Sequence, residues 1–406
     1  MEKFTPRNIK GAVDFMPATQ IMRNRLTDIL KRNFESFGYL PLETASLNYL
    51  DLLSYKYDEN AEILREIYKL KDQGHRDLGL RFDLTVPFCK VIAMNRNLRM
   101  PFKRYEIGKV WRNGPVKLGR TREFYQCDVD VVGLDGAHIE AELIMLAVKC
   151  FTEMGIEPII KIGNRKMLIE HILTCGVDKK HVDAVVALVD GIEKNDKAEV
   201  VKELKKYKAD SVLKSEPKPN AEVTQLFDIL KQLGIEKYCK FEPFLARGLN
   251  IYTGTVFEVY DKKGRLPSAL GAGGRYDEII GNFIDDGRRY PAVGISFGLE
   301  PICAVLSAEQ NATSIDLMII PMGTAVQSQI IAEGWRSAGA RVLVNLSGKN
   351  VGKCFDYANA EKIPYVAVIG DNEINSGNIN IKNMATGEQK LFAIADISAI
   401  TKIIRS

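Results

Sequence analysis

The chain has 406 residues, of which 46% are hydrophobic and 27% are charged, and this balance predicts two or three globular domains with cores of their own. Its formal net charge of +4 is too small to favour or exclude a nucleic acid as a partner. Seven cysteines without a Cys-x-x-Cys pair and only four histidines argue against a zinc site and a disulfide framework, so no metal ligands are assigned.

The beginning of the chain, MEKFTPRNIKGAVDFMP, has no apolar segment of the kind found in signal peptides. No later run approaches the roughly 18 apolar residues that a membrane-spanning helix needs. We therefore expect a cytoplasmic protein with no membrane among its partners.

Two patterns come first in chain order. Apolar residues from Ile21 to Phe37 keep helical spacing, and Gly38 follows as a helix stop, so a helix is predicted there. From Arg104 to Val132 the pattern changes to two long strands joined by the loop NGPVKLGRT. This pattern predicts an antiparallel hairpin with a large tip.

The second strand of this hairpin, FYQCDVDVV, has an apolar and a polar face, and Gln126, Asp128 and Asp130 lie on the polar one. Taken alone, this pattern is typical of a half-buried strand with a solvated side. Arginines close to these carboxylates suit instead a ligand that carries phosphate or carboxylate together with an amine or imidazole. Those arginines are Arg112, Arg120, Arg122 and Arg247.

The rest of the chain is organised in three parts. Helix-favouring runs predict a helical insertion over 161–240, and strands return at RGLNIYTGTVFEVY and at PAVGISFG, which enters a helix at Leu299. From 315 onward, strands and helices alternate and end in two hairpin-like strands, which predicts a compact α/β domain. Neither a P-loop nor a Rossmann glycine motif is present, so ATP, if bound, must be held by arginines.

Several blocks in one order resemble histidyl-tRNA synthetases, a family of class II aminoacyl-tRNA synthetases. The blocks are RGLNIYTGTVFE, LRFDLTVPF, GRTREFYQCDVDVVG and GAGGRYD. The resemblance implies an α+β fold in which helices flank an antiparallel catalytic sheet. It also implies a catalytic core at 1–160 and 241–312, the helical insertion at 161–240, and an anticodon-binding-like α/β domain at 315–406.

The resemblance implies an ATP-dependent histidine–tRNA ligase. Such an enzyme forms histidyl-adenylate and then passes histidine to tRNA(His), which the C-terminal domain would bind. From the same resemblance we expect Mg²⁺ at the phosphates and a homodimer. In the C-terminal domain, nine Lys and Arg face eight Asp and Glu, so no basic patch is evident, and Lys349, Lys353 and Lys362 either line one face or are simply solvated.

The positions that match the family's histidine site are Asp83, Thr85 and Gln126 for the α-amino end, and Asp130 and Tyr252 for the imidazole. A carboxylate that faces an imidazole N–H gives Asp130 a chemical role of its own.

Three arginines match the family's ATP site. Arg112 corresponds to the motif 2 arginine on the α-phosphate, and Arg120 to one nearer the terminal phosphates. Arg247 corresponds to the histidine-specific arginine at the carboxylate and α-phosphate. Arg112 and Arg247 are therefore the candidate catalytic residues, because fixed guanidinium groups stabilise the charge that builds up at the α-phosphorus.

Five positions depart from the family pattern. Pro301 replaces the motif 3 arginine that reaches the γ-phosphate, and Gly114 replaces the motif 2 acid near the adenine. Ala45 stands where motif 1 has a proline, and Asn250 and Ile251 replace an aspartate and a tyrosine of the histidine signature. Lys103 and Arg275 are candidates for replacing the lost positive charge.

These departures leave three hypotheses open. The first is a divergent histidine–tRNA ligase, which the retained Arg247 favours. The alternative is a non-catalytic paralogue that binds histidine or tRNA and regulates another process, which Pro301 and Gly114 favour. A ligase of changed amino-acid specificity is the third, and Asp130 and Tyr252 argue against it.

Overall fold

The computed structural model describes residues 4–55, 62–190, 192, 196–247, 251–306 and 313–405. The chain forms two compact units, one of residues 1–14 and 23–308 and one of residues 15–22 and 309–406. No helix of the described ranges has both the length and the apolar character to cross a membrane.

The strands are numbered in chain order. They are β1 Leu40–Pro41, β2 Leu47–Tyr49, β3 Lys69–Lys71, β4 Asp77–Leu80, β5 Phe102–Trp111, β6 Glu123–Val132, β7 Pro158–Asn164, β8 Cys239–Phe241, β9 Thr255–Asp261, β10 Gly271–Arg275, β11 Ala292–Gly298, β12 Leu317–Pro321, β13 Val342–Val344, β14 Tyr365–Ile369, β15 Asn378–Asn383 and β16 Gln389–Ala393.

The α-helices are numbered in the same way. They are α1 Pro17–Ser36, α2 Leu50–Ser54, α3 Glu62–Glu66, α4 Thr85–Met94, α5 Ala137–Glu153, α6 Arg165–Thr174, α7 Val182–Asp190, α8 Lys197–Lys206, α9 Ala221–Gln232, α10 Ile279–Ile284, α11 Leu299–Leu306, α12 Ala325–Ser337, α13 Val351–Ala360, α14 Asp371–Ser376 and α15 Ile397–Ile404.

An eight-stranded sheet forms the centre of the first unit, in the order β1-β5-β6-β11-β10-β9-β7-β8. All neighbouring pairs are antiparallel except β1 with β5 and β7 with β8. The predicted hairpin is confirmed as β5 and β6, and the predicted turn into a helix at Leu299 is confirmed as the end of β11 and the beginning of α11. The strand predicted from Arg247 begins only at Thr255.

The apolar side of this sheet is closed by aromatic packing. The ring of Phe297 on β11 lies 5.5 Å from that of Phe34 on α1 and 5.4 Å from that of Phe151 on α5. Cys127 and Val129 of β6 are fully buried. The helix predicted at 21–37 is thus confirmed as α1. This packing leaves the other side of β6 free to build a site.

Helices α6 to α8 follow β7 and surround a separate apolar core that includes Leu168, Ile172, Val185 and Leu204, whereas α9 packs against α5. The predicted helical character of this region is confirmed, although the predicted boundary at 160/161 falls inside β7. A small sheet in the order β2-β4-β3 lies before the hairpin in sequence.

The second unit contains a five-stranded sheet in the order β13-β12-β14-β15-β16. Its first three strands are parallel and the last two pairs are antiparallel, as expected of alternating strands and helices that end in a hairpin. Trp335 of α12 is buried in its core. Two helices, α14 and α15, were not predicted from the sequence.

Candidate active site

A cavity of about 250 Å³ opens on the polar side of the sheet in the first unit. Polar, charged and apolar side chains share its wall: Asp83, Thr85, Arg112, Phe124, Gln126, Arg247, Ile251, Tyr252, Glu258 and Ser296. Six of the predicted site residues lie in this wall: Asp83, Thr85, Arg112, Gln126, Arg247 and Tyr252. Asp130 and Arg120 do not.

Strand register places the polar residues of β6 in rows across the sheet. Asp128 is paired with Glu106 on one side and with Ser296 on the other, and Ser296 is followed by Ala272 and Glu258. In an antiparallel sheet, side chains of directly paired residues lie on the same face. The predicted polar face of β6 is therefore present, but it is buried and not solvated: Gln126, Asp128 and Asp130 are all buried.

The amide nitrogen of Gln126 makes a hydrogen bond to the protein, whereas its amide oxygen is available to a ligand. Its amide Nε2 donates to Ser296 Oγ at 2.8 Å. Its buried Oε1 has no hydrogen-bond partner among the described residues. A buried acceptor without a donor is costly, so this atom is suited to an N–H of a ligand.

Asp83 and Thr85 approach the cavity from the end of β4. Asp83 Oδ1 accepts the backbone N–H of Val86 at 3.0 Å, which fixes the carboxylate at the first turn of α4. Burial raises the pKa of Asp83, and the hydrogen bond from Val86 and the charge of Arg112 oppose that shift. A carboxylate, a hydroxyl and the amide of Gln126 thus form an acceptor-rich corner.

Asp130 lies deeper than this corner. Tyr276 donates its hydroxyl to Asp130 Oδ1, and Arg104 Nη2 lies 2.7 Å from Oδ2. The second contact is an ion pair without hydrogen-bond alignment, and Oδ2 keeps an unused acceptor position among the described residues. Burial raises the pKa of Asp130, and Arg104 opposes this shift.

Arg247 and Tyr252 form a second group in the cavity wall. Arg247 Nη1 donates to the Tyr252 hydroxyl at 2.7 Å, and its guanidinium carbon lies 5.1 Å from the centre of the tyrosine ring. The backbone of Arg247 has a φ of 56° and donates its N–H to Asp190 Oδ1 at 2.8 Å. A carboxylate of the insertion therefore supports the unusual backbone conformation that presents this arginine.

Arg112 lies where β5 ends. Its Nε donates to the carbonyl of Phe82 at 2.8 Å, and its guanidinium carbon lies 5.3 Å from the centre of the Phe124 ring. Burial lowers the pKa of Arg112, and the charges of Asp83 and Glu66 oppose that shift. Arg112 and Arg247 thus present fixed positive charge to one cavity, whereas Arg120 is half-exposed, with Nη2 3.6 Å from Glu66 Oε1.

The positions at which the sequence differs from the family pattern have different surroundings. Ile251 is buried in the cavity wall, which is apolar at that point. Pro301 lies in the first turn of α11, and a Cβ on Gly119 at the hairpin tip would be 3.2 Å from its Cα. Ala45 is exposed and accepts a hydrogen bond from Asn48 through its carbonyl. Asn250 lies outside the described residues.

Neither candidate for a replacement cation lies in the cavity wall. Lys103 Nζ donates to the carbonyl of Phe37 and to Glu142, and Arg275 Nε donates to Glu140 at 2.7 Å. Both side chains are committed to structural contacts.

Sequence reasoning did not single out Phe124, Glu258 or Ser296. Phe124 had a signal, because strand alternation places it on the same face as Gln126. Glu258 and Ser296 had none, because only strand register brings them opposite β6.

The carboxylates near the cavity also decide whether it suits a bound Mg²⁺ ion. Among the described residues, no three His, Cys, Asp or Glu side chains are grouped so that they could hold a metal ion by themselves. Mg²⁺ at a nucleotide usually takes one or two carboxylates together with phosphate oxygens. Asp83 and Glu258 are the carboxylates in the cavity wall, so the residues present fit an ion that arrives with phosphates.

Comparison with known proteins agrees with this geometry. The histidyl-tRNA synthetase family model matches residues 11–302, and an anticodon-binding domain model matches residues 316–403. Histidine–tRNA ligase 1 of Bacillus thuringiensis subsp. konkukian is 42% identical over 419 residues, covering 97% of this chain and 99% of the relative. A histidine–tRNA ligase of Bacteroides fragilis is 33% identical over 452 residues, covering 97% and 98%.

Solved structures give the same result. Histidyl-tRNA synthetase from Nostoc sp. PCC 7120 superposes with a TM-score of 0.83 at 27% identity and covers 99% of both chains. An ATP phosphoribosyltransferase regulatory subunit/histidyl-tRNA synthetase from Bacillus halodurans C shares the fold, with a TM-score of 0.74 at 21% identity, covering 91% of this chain and 99% of that one. The predicted resemblance and the α+β fold class are confirmed: the chain belongs to the histidyl-tRNA synthetase family.

Proposed function

We propose that this chain is a histidine–tRNA ligase that uses ATP to form histidyl-adenylate and then charges tRNA(His). The observation that carries the proposal is a single cavity whose wall contains both fixed guanidinium groups and an acceptor-rich corner. A ligand with an ammonium group at one end and oxyanions at the other satisfies both sets of side chains. Histidine next to the α-phosphate of ATP is such a ligand.

The alternative of a non-catalytic paralogue is not favoured. Relatives at 42% and 33% identity over nearly the full length are named histidine–tRNA ligases. Moreover, Arg112 and Arg247 both face the cavity, as adenylate formation requires.

The acceptor-rich corner is proposed to hold the amino end of histidine. The α-ammonium group would donate to Asp83, to Thr85 and to the free Oε1 of Gln126. The imidazole would lie between Tyr252 and the unused acceptor position of Asp130 Oδ2. An N–H of the ring donated to a buried carboxylate distinguishes histidine from apolar amino acids of similar size.

The arginines act on the reacting end. A carboxylate oxygen of histidine attacks the α-phosphorus of ATP, the bond to the bridging oxygen breaks, and pyrophosphate leaves. Arg112 and Arg247 stabilise the negative charge that develops, and their hydrogen bonds to Phe82 and Tyr252 hold them in place beforehand. Arg120, at the hairpin tip, is assigned to the terminal phosphates.

Magnesium belongs to the same proposal. When bound, Mg²⁺ would neutralise part of the phosphate charge, and Glu258 is the wall carboxylate best suited to hold it. Glu258 Oε2 accepts the hydroxyl of Tyr260 at 2.5 Å, which fixes the side chain in the wall.

In the second step, the terminal ribose hydroxyl of tRNA(His) attacks the carbonyl carbon of histidyl-adenylate, an ester bond to histidine forms, the bond to the phosphate oxygen breaks, and AMP leaves. We assign tRNA binding to the domain at 315–406, and the catalytic core to 1–160 and 241–312 with the insertion at 161–240 between them. The protein is proposed to act in the cytoplasm as a homodimer. Exposed apolar side chains on β1, β2 and β3 support a dimer, because such side chains favour burial against a partner: Leu40, Leu47, Tyr49 and Leu70.

Histidine-dependent exchange of pyrophosphate into ATP tests the proposal. We expect exchange in the unmodified protein and a loss of about 10²–10³ in rate for Arg247→Ala, because one preorganised charge at the α-phosphate is removed. Arg265→Ala is the matched control, since Arg265 pairs with Asp261 at 2.8 Å outside the cavity wall. A folded protein that binds histidine but shows no exchange would favour the paralogue.

A further inference from the structure

The side chain of Glu66, at the end of α3, fills the space beside Gly114. A Cβ on Gly114 would overlap Glu66 Oε1 and would lie 2.9 Å from its Cδ and 3.2 Å from Oε2. The Glu66 side chain is only 9% exposed. Glu66 and a side chain at position 114 therefore exclude each other, and the glycine is what admits the carboxylate.

The backbone keeps Glu66 beside the hairpin loop. The N–H of Asn113 donates to the Glu66 carbonyl at 2.8 Å, immediately before Gly114. This contact ties the end of α3 to the loop that follows β5. The position of the carboxylate is thus set by main-chain geometry as well as by the space at Gly114.

Glu66 is the carboxylate next to an otherwise basic loop. Residues 112–122 contain Arg112, Lys117, Arg120 and Arg122 and no acidic residue. Arg120 lies 3.6 Å from Glu66 Oε1, which is beyond hydrogen-bond distance. Glu66 is not itself part of the cavity wall, but its charge acts on Arg112, which is, and its carboxylate keeps acceptor capacity for a donor.

We propose that Glu66 supplies the carboxylate that recognises the exocyclic amine of the adenine base, in place of a side chain at position 114. This inference rests on the proposed use of ATP. Adenine offers an N–H donor at the position where guanine carries a carbonyl oxygen, so a fixed carboxylate attracts one base and repels the other. Phe124, which packs on Arg112, offers the flat surface on which the base would stack.

A role in holding Arg120 predicts a different result. If Glu66 acted only through that ion pair, its removal would weaken ATP and GTP equally, because both nucleotides present the same phosphates. Selectivity for the base is therefore the quantity to measure.

The experiment compares ATP with GTP in the exchange reaction and in direct calorimetric binding to the intact protein. We expect Glu66→Ala to raise the KM for ATP about tenfold and to reduce the preference for ATP over GTP by a similar factor. Glu66→Gln, which keeps the shape but loses the charge, should lie between Glu66→Ala and the unmodified protein. Glu123→Gln is the matched control, because Glu123 lies on the same hairpin and its two carboxylate oxygens already accept from Lys109 and Trp111.

Substitutions at Gly114 distinguish a loss of base recognition from a loss of folding. Gly114→Glu alone should be impaired, because its Cβ would overlap Glu66, whereas Glu66→Ala combined with Gly114→Glu should regain much of the preference for ATP. An unchanged preference in Glu66→Ala, or an equal loss for both nucleotides, would overturn the inference, as would a failure to bind ATP at all. Absent exchange together with Glu66-dependent ATP binding would overturn the proposed ligase and support Glu66.

Discussion

Asp128 carries an energetic cost that depends on pH. It lies on β6 between Gln126 and Asp130 and is almost fully buried. Burial, followed by the charge of Asp130, raises the pKa of Asp128 from 3.8 to about 8. Between pH 3.8 and about 8, Asp128 holds a proton in the folded protein that the unfolded chain has released. The stability that this proton contributes is therefore present at low pH and is lost as the pH rises through about 8.

Asp128→Asn should therefore gain stability relative to the unmodified protein as the pH increases from about 5 to 8.5, by at least about 1 kcal/mol in the free energy of unfolding. Chemical denaturation at several pH values measures this difference. Asp178→Asn is the control, because the hydrogen bonds that Asp178 accepts from Lys180 lower its pKa out of this range. A difference between Asp128→Asn and the unmodified protein that stays constant with pH would contradict the prediction.

At the scale of elements, β10 packs closely because it contains glycine. A Cβ on Gly273 would overlap the carbonyl oxygen of Gly294 and would lie 2.6 Å from the Phe257 ring and 2.8 Å from the Ile295 Cα. Two of these contacts are with backbone, which can yield only if β10 and β11 move apart. Close strand packing in turn positions Ser296 and Glu258 in the cavity wall.

Gly273→Ala should accordingly destabilise the first unit by on the order of 3 kcal/mol, as expected of overpacking against a rigid backbone. Thermal and denaturant unfolding would show a lower midpoint, and histidine binding should weaken in the folded fraction. Gly74→Ala serves as the control, because a Cβ there would lie 3.4 Å from the nearest atom, in ordinary contact. Equal midpoints for the two variants would contradict this account of β10.

The elements of the site differ in how far the sequence could predict them. Alternation along β6 was enough to place Gln126 and Asp128 on one face, because that pattern is local. The contact of Glu66 with Gly114 joins distant segments, and no local pattern encodes it. Helix α15 did have a local signal in the sequence, since Asp396 caps it by accepting the N–H of Ala399, and Ile400 and Ile404 keep helical spacing.

At the scale of the whole molecule, the proposed reaction divides into two measurable halves. Adenylate formation uses only the cavity of the first unit, whereas charging also requires tRNA to be held. The second unit is matched by the anticodon-binding domain model but has nearly balanced charge. Any electrostatic contact with tRNA must therefore be local. Lys349 and Lys353 are both exposed around the beginning of α13, and no two other lysines between residues 315 and 406 lie as close to each other in sequence.

Reversing both charges with Lys349→Glu and Lys353→Glu should lower kcat/KM for tRNA charging about tenfold or more and should reduce its dependence on salt, because contacts with phosphates release counterions. Histidine-dependent pyrophosphate exchange should stay unchanged, since it does not involve tRNA. Lys390→Glu is the matched control, because Lys390 is exposed on β16 in the same unit and pairs with Glu388 at 3.4 Å. If charging fell equally in the control, the effect would reflect the net charge of the unit; if it fell in neither, tRNA would be held by other residues of the chain.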